Sequence, residues 1–274
     1  MTKEKIAYLG PKSTFTEIAA RENFGEIGIY IPFESIPEVF KSVENEKCKY
    51  GVVPIENSNG GSVTETMDML LVSPLVICKE IIIDIKQCLI AKNKNDKIRY
   101  IYSHPQAIMQ CKNWIKKNYP SARIIHTNST AAATLTVANK KENNSAAIAS
   151  SIAAKEYKLE IIEENISDNK INKTRFIVVS KNNLSHSTGK DKTSIIFAVE
   201  HKPGALFNVL EVLKNFNINM TKIESRPNRE NPWEYIFFID VEGHKEDRDL
   251  SMALKDLEKR TLFLKILGSY PRAI

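Results

Sequence analysis

The chain has 274 residues, 42% hydrophobic and 26% charged, with 39 basic against 33 acidic side chains and a net charge of +6. That length points to about two domains, and that balance argues against a disordered chain. No run reaches the ~18–20 apolar residues of a membrane span, and the stretch after Met1 to Lys5 is too short for a signal peptide, so a soluble cytoplasmic protein is expected.

The basic surplus is scattered over Asn-rich stretches such as 92–97 and 139–144 and does not form a stripe beside aromatic residues. Nucleic acid is therefore not an expected partner, whereas a small acidic substrate remains compatible. Cys48, Cys78, Cys88 and Cys111 form no C-x-x-C pair, and the five histidines never sit at metal-ligand spacing. Reduced thiols, no metal and no other cofactor are expected.

In chain order, a predicted strand over 6–9 runs into Gly10-Pro11-Lys12-Ser13-Thr14, where Thr14 and Glu17 make a capping box that opens a helix through Ala19 and Ala20. A strand over 51–55 ends in Glu56-Asn57-Ser58-Asn59-Gly60-Gly61-Ser62, and Ser62 with Glu65 is expected to cap the next helix. A third strand, 99–102, meets Ser103-His104-Pro105, proline suiting a first helical turn, with Ile108, Cys111 and Ile115 on the buried face. A fourth, 123–126, meets Thr127-Asn128-Ser129-Thr130 and an alanine-rich helix.

Hydroxyls, amides and glycines thus gather where a strand hands over to a helix. Taken singly, each such turn is explained by helix capping. Together they fit an α/β cleft, because open sheets bind ligands at strand carboxyl ends and helix starts offer N–H groups to an anion. The polar run 181–192 separates this half from the pattern strand 194–200, helix 205–216, strand 218–224, strand 235–241, helix 246–259 and strand 263–270, a ferredoxin-like βαββαβ order. The expected division is 1–181, a linker over 182–192, and 193–274.

Gly10-Pro11 with Thr14-Phe15-Thr16, Pro54-Ile55-Glu56-Asn57-Ser58 with Gly61-Ser62-Val63, Ser103-His104-Pro105-Gln106-Ala107 with Gln110-Cys111, Asn128 to Ala132, and Asn172-Lys173-Thr174-Arg175-Phe176 come in order through the first 180 residues. They resemble the signature blocks of prephenate dehydratase. Gly204-Ala205-Leu206 and Glu224-Ser225-Arg226-Pro227 resemble the ACT domain that binds phenylalanine in that family. Ser13 stands where the family has glycine after Gly-Pro-x, so that turn is expected to do without positive φ, and Asn217 replaces another glycine as the next most tolerant residue. The chain begins at its first strand, with no room for the helical chorismate mutase domain fused in some relatives, so a monofunctional enzyme is expected.

The resemblance implies a bilobed catalytic domain of two α/β subdomains, like periplasmic binding proteins, followed by an ACT domain. It implies conversion of prephenate to phenylpyruvate, carbon dioxide and water, with feedback by phenylalanine in a dimer or tetramer. Thr174 is expected to hydrogen-bond the departing hydroxyl, and Arg175 to anchor a substrate carboxylate or organise the site. Glu56 is either a relay acid with a raised pKa or a structural carboxylate. Thr14, Asn57, Ser58, Ser62, Ser103, Gln106, Gln110, Ser129, Thr130, Asn172 and Phe176 are expected to bind substrate, while His104 is read as a helix-entry residue. Gly204, Ala205, Leu206, Glu224, Ser225, Arg226 and Pro227 are expected to bind effector. The motifs leave arogenate dehydratase open as an alternative, and the cleft architecture alone leaves a non-catalytic anion sensor.

Overall fold

The computed structural model describes residues 3–182, 186–227 and 235–273. Residues 183–185 of the expected linker lie outside the described residues. In chain order the first elements are β1 (Glu4–Leu9), α1 (Phe15–Phe24), β2 (Gly28–Phe33), α2 (Ile36–Glu44), β3 (Tyr50–Asn57), β4 (Gly61–Ser62), α3 (Thr64–Val72) and β5 (Val76–Asp84). Next come β6 (Cys88–Ala91), β7 (Tyr100–Ser103), α4 (Pro105–Gln110), α5 (Lys112–Asn118), β8 (Arg123–His126), α6 (Thr130–Asn139), β9 (Ser145–Ala149), α7 (Ser151–Glu156) and β10 (Glu160–Glu163). β11 (Lys173–Ser180) is followed by β12 (Asp191–Ala198), α8 (Ala205–Asn215), β13 (Met220–Pro227), β14 (Tyr235–Glu242), α9 (Arg248–Arg260) and β15 (Phe263–Pro271).

Three sheets result. The first runs β2-β1-β3-β11-β5 with β4 paired to β3, the second β10-β6-β9-β7-β8, and the third β13-β14-β12-β15. The chain leaves the first lobe after β5 and returns from the second as β11, so residues 85–87 and 164–172 are the two crossings. The third sheet has the ferredoxin-like order, and β12 begins inside the stretch expected to be linker.

Thr14 caps α1, accepting from Glu17 N, and Ser129 caps α6, accepting from Ala132 N. The cap expected of Ser62 is not made. α3 starts from Val63 without a side-chain cap, because Ser62 is drawn into pairing with Glu56 in β4. Ser13 adopts φ 66°, correcting the expectation that this turn avoids the left-handed region; its N–H donates to Glu17 Oε2 at 2.7 Å, which offsets part of the strain. Asn217 takes φ 54°.

Strand alternation splits the first sheet into two cores. Tyr8, Val52, Phe176 and Val178 pack towards α1. Val53, Ile77, Ile177 and Val179 pack against α2, α3 and residues of the third sheet: Ile196, Phe238, Leu267 and Tyr270. At ~1.5–3 kcal/mol per buried large apolar side chain, this shared core fixes the third sheet to the first lobe. β15 approaches β5 so closely that a Cβ on Gly268 would lie 2.1 Å from Ile77 O. Lys265 donates to the carbonyls of Leu70, Leu71 and Ser73 at 2.7–2.9 Å, closing the end of α3 from the other domain. Among the described residues no helix is long and apolar enough to cross a membrane.

Candidate active site

β3 and β11 run side by side, with Thr174 opposite Asn57 and Arg175 opposite Glu56. The register then skips Ile55, so that Phe176 faces Pro54. This bulge puts Pro54 and Asn57, three residues apart, on one face with Thr174 and Phe176. The face looks into a cavity of about 540 Å³ between the lobes. Its other walls are the start of α1 with Thr14, the loop 60–63, Ile85 and Gln87 of the first crossing, the α4 segment 104–110, and Asn128 to Thr130. Gly60 faces Gln106 across the cleft, its ideal Cβ position lying 2.3 Å from Nε2 at the end of that flexible side chain.

A chain of amides crosses the floor of this cleft, and backbone groups set its direction. The N–H groups of Asn59 and Gly60 donate to Asn57 Oδ1 at 3.0 and 2.9 Å, so Asn57 must turn its NH₂ the other way. That NH₂ donates to Thr174 Oγ1 and to Asn172 Oδ1, both at 2.8 Å. Asn172 donates in turn to Gln110 Oε1 at 3.1 Å, which also receives a long bond from Gln87 Nε2 at 3.4 Å. Thr174, 8% exposed, thus has its oxygen engaged as an acceptor and its hydroxyl proton left for a group in the cleft.

Among the described residues lining the cavity there is no lysine or arginine, and Glu34 is the one carboxylate. Burial, and then His126, hold the His104 pKa below the usual imidazole range, and His104 Nδ1 accepts from Gln106 N at 3.2 Å, as a neutral ring does. An anion here meets hydroxyls, amides and backbone N–H groups, with no fixed cation.

Arg175 lies outside the cleft, so of its two expected parts, anchoring a substrate carboxylate or organising the site, the structure corrects the first. Adjacent strand residues point to opposite faces, so with Thr174 inward Arg175 points at the third sheet. There it binds Asp240 Oδ2 at 2.7 Å, Glu80 Oε2 at 3.3 Å and Glu56 Oε2 at 3.1 Å. Its side chain is 11% exposed and that of Glu80 0%. Lys192 holds both oxygens of Glu80 at 3.0 and 2.8 Å, and Ser194 donates to Asp240. Glu56 lies on this same side, outside the cavity, held by Arg175 and by Lys222 at 3.1 Å. Its position contradicts a relay acid in the cleft and matches a structural carboxylate.

Of the residues expected to touch substrate, Thr14, Asn57, Ser62, Gln106, Gln110, Ser129, Thr130, Thr174 and Phe176 line the cavity. Ser58, Ser103 and Asn172 do not, which corrects their direct role. Ser58 Oγ accepts from Lys173 N, Ser103 is fully buried and donates to Ile148 O, and Asn172 acts one bond back in the amide chain. Gln87, Glu34, Ile85 and Asn128 were not anticipated. No sequence signal marks Gln87; only the two-residue step from Ile85 sets both on one side.

Ser62 joins the cavity to the other domain. Its hydroxyl donates to Glu224 and receives Lys222 Nζ at 2.9 Å. Arg226, from the same face of β13, binds Asp68 Oδ1 at 2.6 Å and Thr64 O at 2.8 Å. The side chains of Glu224 and Arg226 thus bond to the first lobe of their own chain. Ser225 and Pro227 are exposed. Gly204, at φ 79°, opens α8, with Ala205 buried and Leu206 packed on the domain core. Register through β14 puts this turn at the same end of the sheet as Arg226.

A polar cleft between two α/β lobes, bonded directly to a βαββαβ domain, is the architecture of a small-molecule enzyme carrying a sensor domain. Residues 6–184 match the family model for prephenate dehydratase and residues 193–259 that for the ACT domain. The chain is 47% identical over 273 residues to a bifunctional chorismate mutase/prephenate dehydratase of Aquifex aeolicus, covering 99% of this chain and 75% of that one. It is 43% identical to a prephenate dehydratase of Methanocaldococcus jannaschii, covering 97% of each. A solved prephenate dehydratase of Arthrobacter aurescens in complex with L-Phe superposes with a TM-score of 0.91 at 33% identity, covering 98% of this chain and 90% of that one. The chain belongs to the prephenate dehydratase family, hydro-lyases, and carries an ACT domain.

Proposed function

We propose that the cleft takes prephenate as a dianion and converts it to phenylpyruvate, carbon dioxide and water. The ring carboxylate leaves as CO2, and its C–C bonding pair enters the ring. The C–O pair departs with the hydroxide on the opposite carbon, and aromatisation drives both. The observation that carries this reading is the hydroxyl of Thr174, which lines the cleft and whose oxygen accepts from Asn57, leaving its proton available to a ligand. Thr174 supplies a hydrogen bond to the leaving oxygen, which takes a proton from solvent and becomes water; oriented donors of this kind carry much of such catalysis. The start of α6 supplies N–H groups for a carboxylate.

Asn57→Asp is expected to fold, because its oxygens still accept from Asn59 and Gly60. It loses the donor to Thr174 and adds a negative charge, so kcat/KM for prephenate falls by roughly 10²-fold or more. Steady-state rates at one pH check this. The reaction itself is tested by incubating purified protein with prephenate or with arogenate: phenylpyruvate should form rapidly from the first, and phenylalanine slowly or not at all from the second. The reverse preference would make it an arogenate dehydratase, and no product from either would leave only a binding protein.

Feedback by L-phenylalanine and a dimeric or tetrameric assembly belong to the same reading, as does a cytoplasmic setting. Exposed Phe207, Ile223, Tyr235 and Phe263 on the ACT domain support a partner copy. Millimolar phenylalanine is expected to lower the rate severalfold and tighten the oligomer, a coupling of ~1–3 kcal/mol. Unchanged rates and unchanged sedimentation would refute it.

A further inference from the structure

We infer that Gln87 is a further substrate-binding and specificity-determining residue, its carbonyl oxygen accepting a hydrogen bond from the ring hydroxyl that leaves; this rests on prephenate as the ligand. Gln87 is 3% exposed, lines the cleft, and its Oε1 is buried with no partner among the described residues. A buried carbonyl without a donor is costly unless a ligand supplies one.

The assignment of Oε1 as the unpaired atom follows from the amide chain. Two backbone N–H groups fix Asn57, which fixes Asn172 as acceptor and then donor, which fixes Gln110 Oε1 as acceptor. Gln87 meets that oxygen with its nitrogen, leaving Oε1 as the atom without a partner. The residue is therefore an acceptor by construction. Both carboxylates and the ketone of prephenate only accept hydrogen bonds, so its ring hydroxyl is the single donor it brings. With that proton on Gln87, a lone pair of the same oxygen is free to face Thr174.

The test compares prephenate with its product. Phenylpyruvate keeps the side chain and has lost the hydroxyl, so it serves as a competitive inhibitor that cannot use Gln87. In Gln87→Leu, KM for prephenate should rise roughly tenfold, the usual loss for one unpaired hydrogen bond, while the inhibition constant of phenylpyruvate stays unchanged. Equal weakening of both would show a merely structural part in the amide chain, and no change in either would show that the oxygen reads nothing; each overturns the inference. Gln87→Met gives the same readout if leucine lowers the melting temperature too far. A wild type that leaves prephenate untouched would instead overturn the reaction, and is seen before any substitution is made.

Discussion

Thr174→Val is expected to fold with an unchanged melting temperature and to lose roughly 10²–10⁴ in kcat, the range for a removed proton-transfer or leaving-group contact. Valine keeps the β-branched shape that β11 accommodates and removes only the hydroxyl. The cost in stability is small because Asn57 retains Asn172 as an acceptor. KM should change less than kcat, since the hydroxyl meets charge that develops as the C–O bond breaks. Wild-type turnover in this variant would remove Thr174 from the mechanism.

Arg175→Met is expected to act on stability, with substrate affinity little affected. It strands Asp240, leaving that buried carboxylate with Ser194 alone, whereas Glu80 keeps Lys192. Breaking a buried pair by removing one partner costs ~3–5 kcal/mol, which for a protein of this size lowers the melting temperature by roughly 10 °C. Adding Asp240→Asn should restore part of the loss, because the orphaned charge goes with it. Arg175→Lys keeps a charge but cannot span three carboxylates, so its loss is intermediate. A variant with intact stability and a sharply raised KM would return Arg175 to the cleft.

The order of elements was legible because turn signals separate strands from helices, and the ferredoxin-like half could be read strand by strand. Thr174 and Asn57 were legible as polar residues at strand ends. Placing Arg175 on a substrate carboxylate beside Thr174 overlooked strand alternation: neighbours on a strand cannot both enter one cleft, and that rule outranks the appeal of a cation beside an anion. The bulge at Ile55 was not legible, since nothing in Pro54-Ile55-Glu56-Asn57 announces an extra residue. Ser62 satisfied the spacing of a capping box, yet tertiary contacts with Lys222 and Glu224 won over a local cap worth ~1 kcal/mol. Gln87 owes its importance to partners far along the chain, which no local pattern encodes.

The same geometry ties the two domains. Thr174 and Arg175 are consecutive, one in the cleft and one bound to β14, and Ser62 touches both the cleft and β13. A shift of the ACT domain on the shared core therefore moves groups at the cavity wall without a long pathway between them.

The most direct measurement is a crystal structure of Thr174→Val soaked with prephenate, where slowed turnover holds the substrate in place. The account predicts prephenate between loop 60–63 and the α4 segment, its ring hydroxyl directed at position 174, with Arg175 still on Glu80 and Asp240. Density for the substrate with a carboxylate paired to Arg175 would contradict it.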